Sequence, residues 1–93
     1  MKRKMKKLTA VGELRLHTMA REGWRYLQSV CGESDDREWE RQLANNAALV
    51  ALSTSYLGSP IFTSARQVLD ELDLTQIVRL VQEYQRRFEE VAR

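Results

Sequence analysis

One cysteine, one histidine, one proline and four glycines are spread through 93 residues. The lone Cys31 excludes an internal disulfide framework and a cysteine-built zinc site, and with His17 as the only histidine no metal site is expected. So little glycine and proline argues against a loop-rich all-β chain and in favour of regular helix. Long hydrophobic runs are missing too. The longest, Ala47 to Leu52, falls far short of the roughly 20 residues that span a bilayer, and no apolar segment of the signal-peptide kind follows the basic start. No membrane partner is expected, and a lone thiol without an export signal makes the cytoplasm the expected address.

Catalytic machinery is equally thin. The glycines, at 12, 23, 32 and 58, are isolated from one another, so no Gly-rich phosphate loop exists and no cofactor is implied. His17 and Cys31 are the obvious base and nucleophile, but if one helix carries both, their spacing holds them roughly 21 Å apart. Only a strand around His17 would let them meet. His17 therefore reads as a surface or half-buried structural residue and Cys31 as a small core hydrophobe. The carboxylate pairs Asp35/Asp36, Asp70/Asp73 and Glu89/Glu90 belong to helix starts and solvated faces, since no calcium-type loop gathers them. No enzymatic activity is expected.

What the chain does have is 43% hydrophobic and 30% charged residues, the proportions of one small folded domain. Its net charge of +2 is unevenly spread: Lys2, Arg3, Lys4, Lys6 and Lys7 crowd the start, leaving ten arginines against thirteen Asp and Glu, a balance of −3. Residues 1–7 thus read as a disordered basic leader, able to touch phosphate, ahead of a mildly acidic helical domain over 8–93.

Apolar spacing predicts four helices. Residues 16–31 repeat Leu16, Met19 or Ala20, Trp24 and Leu27 at steps of three and four, with Gly32 as the glycine that closes the helix. Residues 8–15 stay open between an extension of this helix and a short N-terminal strand, because Leu14 and Leu16 alternate with Arg15 and His17. Asp35 or Ser34 caps a second helix over 36–57, whose AALVALS half is apolar on nearly every side and so belongs at the centre of the core. Ser64 with Gln67 opens a short helix over 65–72, and Asp73 with Gln76 opens the last, over 74–92. The fold expected is an all-α bundle of about four helices. On the last helix Leu74, Ile77, Val81, Tyr84 and Phe88 form a seam that suits either the bundle core or a partner helix or second copy. Trp24 and Trp39 read as core or its rim, with a partner anchor as the other possibility.

Residues 46–91 resemble small phage tail assembly chaperones, helical proteins encoded just before the tape measure gene of long-tailed phages. The likeness runs through the apolar helix from Asn46 to Leu52, the Gly-Ser-Pro-Ile-Phe turn at Gly58 to Phe62, the Ser-Ala-Arg-Gln-Val-Leu helix at Ser64 to Leu69, and a leucine-rich helix with Tyr84 near its end. It implies a non-enzymatic protein of the host cytoplasm that coats the aggregation-prone tape measure protein and helps recruit tail subunits, as a homo-oligomer. On that reading Leu74, Ile77, Val81, Tyr84 and Phe88 are the contact stripe and Trp39 a secondary anchor. The alternative is a small dimeric nucleic-acid-binding regulator gripping phosphate with Lys2, Arg3, Lys4, Lys6 and Lys7. Against it, the basic residues of the last helix, Arg79, Arg86 and Arg87, come late, whereas recognition helices read bases from their N-terminal part.

Overall fold

The computed structural model describes residues 4–32 and 37–89. Threonine at position 9 decides where the first helix starts: its hydroxyl accepts the Gly12 amide at 3.0 Å and satisfies a donor that the helix cannot. Helix α1 therefore runs over Ala10–Cys31, and the open segment 8–15 is its cap and first turns rather than a strand. Gly32, at φ 74, closes it, its amide donating to the Gln28 carbonyl at 2.9 Å.

Helix α2 covers Arg37–Ser53 and begins with Glu38 and Glu40 in its first turn, where carboxylates complement the helix dipole. Its proposed caps, Ser34 and Asp35, lie outside the described residues. The expected end at residue 57 is wrong. The Thr54 hydroxyl donates to the Val50 carbonyl at 2.7 Å, and the chain leaves the helix as strand β2, Thr54–Tyr56. Two short strands flank it antiparallel: β1, Lys4–Met5, in register Met5 with Thr54, and β3, Ser59–Pro60, in register Tyr56 with Ser59. Pro60 sits on the edge strand, where its missing donor costs nothing.

Leu57 and Gly58 join β2 to β3 with φ of 53 and 82, the two left-handed residues of a type I′ hairpin, whose twist suits the strands. Local apolar spacing misses this hairpin because Thr54 and Leu57 continue the α2 stripe, while the partner that extends the chain, β1, is some fifty residues away. For the same reason the leader is not disordered over residues 4–7. β1 pairs with β2, Lys6 donates to the Ser53 carbonyl at 2.8 Å, and Leu8 donates to the Tyr84 hydroxyl at 2.9 Å.

Helix α3, Ala65–Glu71, is capped by Ser64, which accepts from Gln67 at 3.1 Å. The Gln67 side chain reaches back to the Thr63 amide at 2.8 Å instead of to Ser64. Helix α4, Leu74–Tyr84, has the full reciprocal box, Asp73 with Gln76, at 2.8 and 2.9 Å. The expected continuation to 92 changes character: Gln85–Glu89 form a π-helical turn, and residues 90–93 are outside the described set.

The four helices form an all-α bundle with α2 inside, packed against α1, α3 and α4, and the small sheet at its C-terminal end. Ala44, Ala47, Ala48, Val50 and Ala51 are buried on successive sides of α2, as its all-round apolar sequence requires. Val68, Ile77, Val81, Tyr84 and Phe62 close over it. Small side chains set the spacing, and Gly23 is the most closely approached of the glycines. A Cβ added there would stand 3.0 Å from the Ala65 Cβ and 3.5 Å from that of Ala44. Gly23→Val should therefore cost about 1–3 kcal/mol through overpacking, seen as a lower thermal midpoint in circular dichroism.

Candidate functional site

The seam on α4 is largely spent on the core. Ile77, Val81 and Tyr84 are 1%, 7% and 3% exposed, so these members of the expected contact stripe face α2 and are closed to a partner. Phe88 is half-buried, tilted against Tyr84 with ring centroids 5.0 Å apart. Leu74 alone of the five is well exposed, and Trp39 is 50% exposed. The physical reason is that α2, apolar all round, needs cover on several sides, and the α4 seam supplies one of them. Solvent-facing apolar positions lie elsewhere: Val11 and Leu14 on α1, Val78 beside Leu74 on α4, and Leu57 at the hairpin tip.

Of the basic leader, Lys2 and Arg3 fall outside the described residues, while Lys4, Lys6 and Lys7 are exposed along the strand and the segment after it. Lys6 and Arg15 border a cleft of about 450 Å³ between α1 and the hairpin. His17 and Cys31 both belong to α1 and are exposed, so the helix keeps them apart, and Cys31 is not the core hydrophobe expected. Cys31 is the last residue of α1, where the chain turns away from the core at Gly32. Among the described residues no group of three or more His, Cys, Asp or Glu side chains is placed to hold a metal ion.

A groove of about 620 Å³ along the α1 and α2 flank is the feature that sequence reading did not find. One wall is the α1 stripe His17, Arg21, Trp24 and Gln28, with Arg25 beside it, at spacings of four, three and four. The other is Glu38, Arg41, Gln42 and Asn45 of α2. Arg41 carries its guanidinium 4.6 Å above the Trp24 ring, a cation–π contact that holds both side chains. The Trp24 indole N–H is buried without a partner, as are a Glu40 carboxylate oxygen and the Ser53 hydroxyl. Neither Arg21, Arg25 nor Arg41 is ion-paired with a described carboxylate. Local signals for the groove do exist, in Arg21 and Arg25 one turn apart around a tryptophan. Their facing partner, Arg41, comes from α2, which no local spacing places.

Beyond the groove, Tyr26 ties α1 to α3. Its hydroxyl donates to Asp70, whose carboxylate also meets Arg66 at 3.8 Å, and Arg66 lies 4.6 Å over the tyrosine ring. That hydrogen bond first, then desolvation and the Asp70 charge, holds the Tyr26 hydroxyl above its ordinary value near 10, with Arg66 opposing.

The class defined by these features is a small all-α domain with an arginine-lined open groove and scattered apolar faces, with no assembled nucleophile and base among the described residues. No family model, no curated protein and no solved structure matches the chain. No helix of the described residues is long and apolar enough to cross a membrane.

Two outcomes follow from these placements. Val81→Asp should cost at least ~3 kcal/mol by putting a carboxylate among buried side chains, lowering the thermal midpoint sharply rather than cleanly removing a surface contact. Tyr26→Phe should lose a tie that is present below the ordinary tyrosine value and disappears as pH rises through the higher folded one. In alkaline titrations followed by circular dichroism, the stability gap between wild type and variant should be steady near neutrality and close above pH ~10.

Proposed function

We infer that this protein is a non-enzymatic binding protein of the phage tail assembly chaperone kind, holding a tape measure protein and tail subunits through apolar helical surfaces. The observation that carries the reading is the pairing of exposed apolar residues on two helices, Val11 with Leu14 on α1 and Leu74 with Val78 on α4. Steps of three and four put each pair on one helical face, and such faces can cover the amphipathic helices of an aggregation-prone client. Trp39, at the start of α2, adds an aromatic side chain of the type enriched where partners bind tightly. The resemblance over residues 46–91 supports the same reading, with the contact surface moved off the buried seam. Self-association would let many copies coat one client in the host cytoplasm.

The competing reading, a small dimeric nucleic-acid-binding regulator, draws on the exposure of Lys4, Lys6 and Lys7. Co-expression with a tape measure protein separates the two. The wild-type chain should raise the soluble fraction of that client, while Leu14→Glu with Val78→Glu, both on solvent-facing positions, should fold normally and lose the effect. No gain in soluble client from the wild-type chain, together with a gel shift on nonspecific DNA that weakens steeply with salt, would favour the regulator and sink the chaperone reading.

A further inference from the structure

The groove between α1 and α2 gathers three arginines and, among the described residues, a single carboxylate. Arg21 and Arg25 stand one turn apart on α1, and Arg41 is on the opposite wall over the Trp24 ring. Elsewhere in the protein, arginines that line up with a carboxylate do pair, Arg66 with Asp70 and Arg87 with Glu83, whereas these three make no ion pair among the described residues. Glu38 is the one carboxylate among the described residues that line the groove. Each guanidinium offers several N–H groups in a planar fork that fits a carboxylate with two bonds at once.

Shape and lining narrow the ligand further. The trough follows α1 from His17 to Gln28, about 16 Å at 1.5 Å per residue, or three turns of a docked helix. Between the charged rims lie Ala20 and Trp24, an apolar floor for side chains rather than for a phosphate backbone.

We propose that this groove binds an acidic amphipathic segment of a partner polypeptide, its carboxylates on Arg21, Arg25 and Arg41 and its apolar side chains on Ala20 and Trp24. The assignment rests on the protein-binding reading above and gives the partner a chemistry.

Fluorescence anisotropy with a fluorescein-labelled helical peptide, glutamates on one face and leucines on the other, tests it on the full chain. The wild-type protein should bind this peptide saturably and more weakly as salt rises. Arg21→Gln with Arg25→Gln, both exposed, should keep its circular dichroism spectrum and bind at least roughly tenfold more weakly. Absence of saturable binding, equal binding by the double variant, equal binding of a lysine-for-glutamate peptide, or stronger competition by duplex DNA than by unlabelled peptide each overturns the proposal. Leu14→Glu with Val78→Glu should leave peptide affinity unchanged. If the wild-type chain binds the acidic peptide through its arginines but never solubilises the tape measure protein, the chaperone reading fails and the groove assignment stands.

Discussion

Close packing around α2 is the constraint from which the other features follow. A helix built on Ala44, Ala47, Ala48 and Ala51 presents little side-chain volume, so it gains enough contact only if its neighbours come near on several sides. Gly23 helps on the α1 side, where a methyl would stand 3.0 Å from the Ala65 Cβ of α3 and in ordinary contact with Ala44 of α2. Once α1, α3 and α4 have closed in, the strongest apolar stripe of the chain, on α4, is used up internally. What remains for a partner is whatever the inner contacts leave over: paired apolar residues on the outer faces and the polar groove along the α1 and α2 flank.

That flank owes its character to side-chain size. Where glycine and alanine meet, the helices touch, and where Trp24, Arg21, Arg25 and Arg41 stand, they leave a trough. Open arginines cost little when they stay hydrated, so the fold tolerates several of them without carboxylate partners. On the opposite side of α1 the same chemistry is resolved internally, since Tyr26, Arg66 and Asp70 satisfy one another across to α3. One helix thus carries a closed polar contact on one side and an unmatched set of donors on the other, and the unmatched set is where recognition by a charged partner is expected.

The sheet shows a different kind of dependence. Three strands of two or three residues are far too short to stand alone. They persist because Lys6 bonds the end of α2 and Leu8 bonds Tyr84, tying the N-terminal segment to both the central and the last helix. A run of lysines that looks like a loose tail is in this way held on a scaffold from Lys4 onward, which fixes where its exposed charges sit.

Local chemistry was readable directly from the chain. Ser64 and Gln67, Asp73 and Gln76, and Gly32 mark helix ends within a few residues of themselves, because a cap needs only its own first or last turn, and the all-round apolar half of α2 demanded a central place. Other features hung on partners distant in sequence. Thr54 and Leu57 fit the helical period as well as they fit a hairpin, until pairing with Lys4 and Met5 chose the strand. Leu74, Ile77, Val81, Tyr84 and Phe88 have one periodicity whether they face a core or a partner, and only the position of α2 beside them put Ile77, Val81 and Tyr84 in the core and left Leu74 outside. The arginine groove is half legible: Arg21 and Arg25 stand one turn apart around Trp24 in the sequence, but the facing wall with Arg41 belongs to another helix, which only the packing of α1 on α2 brings alongside.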